Sequence, residues 1–299
     1  MAKLQWDQAG QRFYQTGDKN MALYVFNSTT KTIGGMTTNY YAGVAWNGIT
    51  AVTESPSGAE PTDLWADDTK YATMRSAEQF GGTIEAYTYP DLWEQCDGSV
   101  TTNGVTIGQQ GRKAFGLAYI TTIGNDTELN DYGEKLHLVY NATANPSERS
   151  YATINDSPEA ITFSWEFTTT PIDVGEGYKK ASLITIESKK VDPDLYAAFK
   201  DIVFGKDGSP GNEAYLPLPA DVISFFGGAS HFEYVAYDPT DDEAWDYTYF
   251  RYYTKDESDN YNLIGELDKA PKAYDGDTTA TRGAYIGPYY DKRLDDGQA

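Results

Sequence analysis

The chain has 299 residues, which is enough for one large domain or two of medium size. It carries 23 Lys and Arg against 45 Asp and Glu, so its formal net charge is −22 at pH 7. This charge argues against a surface that binds nucleic acid or an anionic membrane, because both need an excess of cations. The 25 Tyr, 12 Phe and 6 Trp exclude a disordered chain and favour β-structure.

Alternation of apolar and polar residues predicts strands through the first two-thirds of the chain. Within 160–168, Trp165 and Phe167 fall on one face and Glu166 on the other. Within 134–143, the alternation predicts an apolar face containing Leu136, Leu138, Tyr140 and Ala142, and a polar face that includes His137. Residues 112–121 and 82–89 alternate likewise, and shorter alternating runs occur at 21–26, 43–52 and 181–187.

Two helices are predicted near the end of this β-rich part. The first begins at Pro193, with Asp192 as its N-cap, and stops at Gly205. Its apolar stripe consists of Leu195, Phe199, Ile202 and Val203. The second runs from about Pro219 to Phe226 and ends at Gly227-Gly228, and a helical turn is expected near 90–95.

The segment 49–71 has little apolar periodicity and several acidic residues. Pro56-Ser57-Gly58 separates its two extended halves. We predict a long protruding hairpin or loop, and loops of this length are uncommon unless they are functional or disordered. Because such a segment cannot bury itself, we expect it to pack on a neighbouring subunit.

The composition changes after Gly227-Gly228. Residues 230–299 contain 16 acidic and 7 basic residues and many tyrosines. We therefore predict two parts, a domain at 1–229 and a small β-rich appendage at 230–299.

The residues that usually carry chemistry are sparse. The single Cys96 excludes an internal disulfide, and the two histidines have no metal-ligand spacing around them. No nucleotide-binding or hydrolase motif occurs, and Tyr261 stands where a calcium loop at 256–266 would need Gly. No catalytic residue, metal site, cofactor or membrane-spanning segment is predicted, and we do not expect an enzyme. A carboxylate pair for glycoside hydrolysis stays an open alternative, although 45 acidic residues make any such pair uninformative.

Several long strings run in order along the chain: GVAWNGITAVTESPSGAEPTDLWADDTKY (43–71), SAEQFGGTIEAYTYPDLWEQCDG (76–98), TIGQQGRKAFGLAYITTIGNDT (106–127), DYGEKLHLVYNATANPSERSYATINDSPEAITFSWEFTTTPI (131–172), VDPDLYAAFKDIVFG (191–205) and LPLPADVISFF (216–226). With the opening that contains Trp6, Gly10 and Phe13, they resemble the major tail tube proteins of long-tailed bacteriophages. Residues 27–42 and 230–299 depart from that pattern, as an insertion and an extension.

The resemblance implies a mainly β fold, a tail-tube β-sandwich or barrel with a flanking α-helix. Hexameric rings of such subunits would share an inner β-barrel and stack into the tail tube, a structural virion component that conducts the genome into the host. Closing a sheet across subunits removes exposed strand edges. The appendage at 230–299 is expected on the outer surface of the tube.

An acidic lumen would repel phosphate, so that DNA slides without sticking. The candidate acidic residues of the lumen are Glu54, Glu85, Glu159 and Glu166. The candidate residues of the inter-subunit or inter-ring loop are Glu54, Ser55, Pro56, Ser57, Gly58, Glu60 and Asp63.

The expected partners are further copies of the chain, the tape-measure protein, the tail terminator and distal tail proteins, and viral DNA in transit without specific binding. The expected location is the virion tail, assembled in the host cytoplasm. The alternative function is a virion decoration or host-surface module that binds carbohydrate through the Tyr- and Trp-rich C-terminal part.

Overall fold

The computed structural model of the protein describes residues 5–33, 35–58, 60–151, 153, 160–175, 177–206, 213–227, 229–235, 249–255 and 261–267. The described part is mainly β, as predicted. The first eleven strands are β1 (Tyr14–Val25), β2 (Lys31–Ile33), β3 (Met36–Thr38), β4 (Tyr40–Tyr41), β5 (Val44–Trp46), β6 (Ile49–Glu54), β7 (Ser57–Gly58), β8 (Pro61–Ala66), β9 (Thr69–Arg75), β10 (Glu78–Gln79) and β11 (Gly81–Ala86).

The later strands are β12 (Val100–Thr102), β13 (Val105–Ile107), β14 (Phe115–Asn125), β15 (Leu129–Ala144), β16 (Phe163–Thr169), β17 (Leu183–Glu187), β18 (Tyr215–Leu216), β19 (Ala229–Val235), β20 (Tyr249–Lys255) and β21 (Tyr261–Leu267). The helices are α1 (Glu94–Asp97), α2 (Pro193–Phe204) and α3 (Pro219–Gly227), and a 3-10 turn at Asp91–Trp93 precedes α1.

The contacts divide the chain into two units. The first comprises Met1–Phe26, Ala42–Asp173 and Tyr178–Thr185, and the second comprises Asn27–Tyr41, Val174–Gly177 and Ile186–Ala299. The predicted division between 229 and 230 falls inside the second unit and stays a prediction.

A large antiparallel sheet forms the first unit. Its strand order is β5-β1-β14-β15-β16-β11-β6, and β17 pairs with β15. β5 and β6 lie at opposite ends of this order, yet only two residues separate them in sequence. The sheet therefore rolls until its edges meet, and the Val52 amide of β6 donates a hydrogen bond to the Asp18 carboxylate of β1 (3.1 Å).

Aromatic residues fill the inside of this rolled sheet. Trp93 is completely buried, and its ring centroid lies 4.6 Å from that of Trp46, 4.9 Å from that of Phe115 and 5.5 Å from that of Trp165. The helical segment predicted near 90–95 therefore supplies the central side chain of the core. Gly98 ends α1 in the left-handed conformation, at φ 79°.

Two of the predicted alternations, at 160–168 and 134–143, have different outcomes. In β16 the prediction is confirmed, since Trp165 and Phe167 are buried and Glu166 is exposed. In β15 the predicted polar face is wrong, because His137 and Val139 are buried as well as Leu138. Val139 belongs to the aromatic-rich core, so this central strand is covered on both faces.

Both predicted helices occur, and both belong to the second unit. The Asp192 carboxylate accepts a hydrogen bond from the Leu195 amide (3.3 Å), which caps α2 at its N-terminus. Gly205 follows α2 at φ 82°. In the same unit β18 pairs with β4, and β19, β20 and β21 form an antiparallel three-stranded sheet.

Candidate functional site

A long hairpin leaves the first unit between β6 and β11. β7 pairs with β10 at its base, and β8 pairs with β9 beyond them. These bounds differ from the predicted 49–71, because residues 49–54 are a strand of the main sheet and the returning arm extends to Gln79. We call residues 57–79 the projecting hairpin.

The projecting hairpin exposes large apolar side chains. The exposed fractions are 68% for Trp65, 77% for Tyr71 and 59% for Met74. The turn residues Asp67 and Asp68 both have positive φ, as a two-residue turn of this hand requires. The two arms are paired, with a register shift between Leu64 and Trp65, but these side chains find no cover within the described part of the chain.

The predicted loop residues lie mainly at the base of the projecting hairpin. The Ser55 amide donates to the Gly81 carbonyl (2.8 Å), which continues the β6–β11 pairing. Gly58 has φ 86°, and a Cβ there would lie 2.9 Å from the Ala77 carbonyl oxygen, so only glycine fits. The other members of the predicted loop set (Pro56, Ser57, Glu60 and Asp63) are exposed.

Asp63 has polar partners within the hairpin. Its carboxylate pairs with the Lys70 ammonium (2.7 Å) and accepts a hydrogen bond from the Thr73 hydroxyl (2.9 Å). Because both bonds cross from β8 to β9, they hold the two arms in register.

Glu54 joins the base of the projecting hairpin to two strands of the main sheet. The Tyr119 hydroxyl of β14 donates to Glu54 Oε1 (2.6 Å), and His137 Nδ1 of β15 lies 3.1 Å from the same oxygen. The imidazole stacks on the Tyr119 ring, with centroids 4.6 Å apart, and its Nε2 lies 3.0 Å from the Thr121 hydroxyl. These contacts fix the point where β6 ends and the hairpin begins.

The environment of Glu54 shifts two ionisation equilibria. The adjacent His137 imidazole lowers the pKa of Glu54 below its ordinary value; partial burial opposes this, and the Tyr119 hydrogen bond and nearby Lys135 add to it. Burial, reinforced by the Glu54 carboxylate, raises the pKa of Tyr119. Glu54 is therefore held as a carboxylate beside a tyrosine held as a neutral donor.

Two of the other candidate acidic residues come together on the outward face of the sheet. Glu85 of β11 stands opposite Ser164 of β16, and Thr83 stands opposite Glu166. Directly opposed residues share a face, so both carboxylates lie on the side away from the aromatic core. We call the outward side of β6, β11 and β16 the acidic face.

Glu54 does not share the acidic face. It stands opposite Gly82, in the row that contains the core residue Ile84, so it lies on the other side of the sheet. Glu159 lies outside the described residues. Whether any of these carboxylates lines a channel stays a prediction.

A shallow pocket of about 240 Å³ connects the projecting hairpin to the acidic face. Glu166 is the one carboxylate in its wall. The other polar lining residues are Ser55, Ser57, Gln79, Thr83, Asn145, Thr168 and Thr169. The hydroxyl and amide groups make this a mainly polar surface depression.

The described part of the chain holds no group of three His, Cys, Asp or Glu residues arranged to bind a metal ion. Among the described helices, none has the length and apolarity to cross a membrane. Comparison with models of known protein families gives no match, and comparison with curated proteins gives none either.

Cys96 is expected to be inert in the folded protein. It is completely buried, and burial raises its pKa to about 12. Relative to an ordinary thiol, its thiolate population is lower by about a thousandfold. Ellman's reagent should therefore modify Cys96 only after denaturation, whereas Val105→Cys, at a 64% exposed position, should react at once. Fast modification of native Cys96 would contradict the burial.

Proposed function

We propose that this protein is a structural virion protein, a tail tube subunit of a long-tailed bacteriophage. Its copies form hexameric rings, and the rings stack into the conduit through which the genome passes. The sequence strings between 43 and 226 that resemble the family support this proposal. The large rolled antiparallel sheet is the kind of fold that the resemblance implies.

The projecting hairpin is the structural feature that best supports the proposal. A hairpin that exposes Trp65, Tyr71 and Met74 presents an apolar surface to water, and such surfaces mark protein contacts. The paired arms and the Glu54 anchor supply a preorganised element, so docking costs little conformational entropy. Large exposed aromatic residues are also the usual anchors of interfaces.

The acidic face supports the second part of the proposal, genome passage. Glu85 and Glu166 lie among hydroxyl side chains on one side of three paired strands. In a ring, a wall of this composition repels phosphate and offers DNA no cationic contacts. The candidate partners are accordingly other copies, the tape-measure protein, the terminator and distal tail proteins, and DNA without specific binding. The place of action is the virion tail, after assembly in the host cytoplasm.

Removal of the projecting hairpin tests the proposal. Residues 59–77 are replaced by Asn-Gly, which closes β7 on β10 with a two-residue turn. We expect the wild-type protein to form rings or tubes at high concentration, as seen by sedimentation velocity and negative-stain electron microscopy. The shortened protein should stay a folded monomer, because β6 and β11 keep their pairing.

A matched control replaces only the turn, Asp67-Asp68 by Asn-Gly, and keeps both hairpin arms. This variant should assemble like the wild type. A wild-type protein that stays monomeric at high concentration, even beside its tail partners, would count against the tube proposal. Normal tube formation by the shortened protein would show that assembly does not need the projecting hairpin.

A further inference from the structure

A second hairpin of the first unit presents an apolar face to solvent. In the β12–β13 pair, Val100 stands opposite Ile107 and Thr102 stands opposite Val105, so these four side chains share one face. The exposed fractions are 45% for Val100, 64% for Val105 and 54% for Ile107. We call these four residues the valine face.

The opposite side of the same hairpin is polar and is tied to the protein. The hydroxyl groups of Thr101 and Thr106 lie 2.7 Å apart, and the Thr101 hydroxyl donates to the Glu94 carboxylate of α1 (2.8 Å). All six residues of these two strands are exposed, so the described part of the chain covers neither side of the hairpin. An apolar face that is held in place and left exposed is typical of a surface that contacts another protein.

The valine face and the projecting hairpin lie at opposite ends of the rolled sheet. The projecting hairpin joins the end of β6 to the start of β11, whereas α1 and the β12–β13 hairpin lie between the end of β11 and the start of β14. Antiparallel pairing places the end of β11 and the start of β14 at the same end, which is the end that α1 occupies. Two hydrogen bonds fix this position, from the Lys113 amide to the Gln95 carbonyl (2.9 Å) and from Arg112 Nη1 to the Ala144 carbonyl (3.0 Å).

The charges of the two surfaces are compatible with contact between copies. Residues 60–78 of the projecting hairpin hold five acidic residues against two basic ones. Residues 98–113, which include the valine face, hold two basic residues, Arg112 and Lys113, and no acidic one, while the preceding carboxylates Glu94 and Asp97 are bound by Thr101 and Arg149. In a chain with a net charge of −22, an acidic hairpin meets less repulsion on this surface than on an acidic one.

We propose that the valine face of one copy is the docking surface for the projecting hairpin of a second copy. The apolar side chains Leu64, Tyr71 and Met74 supply the complementary surface. Because the two surfaces lie at opposite ends of the rolled sheet, the contact is head-to-tail and can repeat from copy to copy. The inference rests on the proposed function, for which it names the acceptor of the hairpin.

The first test places two negative charges in the valine face. For the double variant Val105→Asp/Ile107→Asp, burying carboxylates against apolar side chains should weaken self-association by at least about tenfold in sedimentation equilibrium. The matched control is Tyr178→Asp, at a position that is 63% exposed and belongs to neither hairpin, and it should associate like the wild type. Equal association of the double variant and the wild type would overturn the inference. A wild-type protein that does not associate would instead defeat the proposed function.

The second test does not depend on the folding of that variant. Because Cys96 is buried, Met74→Cys and Val105→Cys each provide one reactive thiol. Met74→Cys mixed with Val105→Cys and a short bismaleimide should give at least about tenfold more cross-linked dimer than Met74→Cys mixed with Tyr178→Cys. Equal yields in the two mixtures would overturn the inference.

Discussion

Replacement of Trp93 by alanine is expected to lower the free energy of unfolding by about 3–5 kcal/mol. The side chain is completely buried, and its ring contacts those of Trp46, Phe115 and Trp165. Removing the indole leaves a cavity between a short helical segment and the sheet, where the rolled strands have little freedom to collapse. Denaturant unfolding at a concentration where the chain is monomeric measures the loss.

The matched control is Trp65→Ala in the projecting hairpin. This tryptophan is 68% exposed, so the same chemical change should alter the free energy of unfolding by less than about 0.5 kcal/mol. Under the proposed function, Trp65→Ala should weaken assembly instead. Equal destabilisation by the two alanine variants would contradict the assignment of Trp93 to the core.

Two conservative variants separate packing from hydrogen bonding in the same cluster. Trp46 Nε1 donates to the Thr88 carbonyl (2.8 Å), whereas Trp93 Nε1 has no hydrogen-bond partner among the described residues. Trp46→Phe loses a hydrogen bond and Trp93→Phe loses none. The first should therefore cost about 1 kcal/mol more than the second, and the reverse order would contradict these indole environments.

The sequence predicts elements well where one face of an element is buried and the other is wet. β16 fits this condition, and its alternation gives the strand and its buried Trp165 together. α2 fits it too, since Asp192, Pro193 and Gly205 define its ends from local chemistry. In both cases the residues that predict the element lie within or next to it in the sequence.

The same reasoning fails in β15 because both faces of that strand are buried. His137 is covered by stacking on Tyr119, and Val139 belongs to the aromatic core. The face of β15 that the alternation predicts to be polar is therefore buried at these residues. A register shift between Leu117 and Phe115 on the neighbouring strand disturbs the pairing further. Coverage of the second face depends on tertiary packing, which a local pattern does not contain.

In the candidate site, too, local sequence patterns do not predict contacts that depend on tertiary packing. The weak periodicity of 49–71 indicates a projecting segment, but it does not show that the returning arm continues to residue 79. Met74 and Arg75 lie in this arm, at the end of β9. The partner of Glu54 is harder still, because Tyr119 lies 65 residues away in sequence. Only the rolling of the sheet brings Glu54 of β6 within reach of Tyr119 on β14, and the local sequence of neither strand indicates this contact.

Glu54→Ala is expected to lower the free energy of unfolding by about 2 kcal/mol, because the buried Tyr119 hydroxyl loses its acceptor. Glu54→Gln keeps an acceptor and removes only the charge. Since the Glu54 side chain is 36% exposed and solvent screens its charge, this variant should lose about 1 kcal/mol at pH 7. The exposed Glu60→Gln is the control and should show almost no change.

The pH dependence of these variants tests the origin of the effect. The pKa of Glu54 is lowered in the folded state, so the unfolded chain binds its proton first as the pH falls. The stabilisation by the carboxylate is therefore complete well above the unfolded pKa of about 4.3 and is lost as the pH falls through the lower, folded pKa. Denaturant unfolding from pH 7 to pH 3 measures the free energy of unfolding of each variant. The difference between wild type and Glu54→Gln should shrink toward acid pH. The deficit of Glu54→Ala relative to Glu54→Gln should persist, because it reflects the lost acceptor. A difference that grows as the pH falls from 5 to 3 would mean that the carboxylate destabilises the folded protein, and the Glu54 contacts would then not anchor the hairpin.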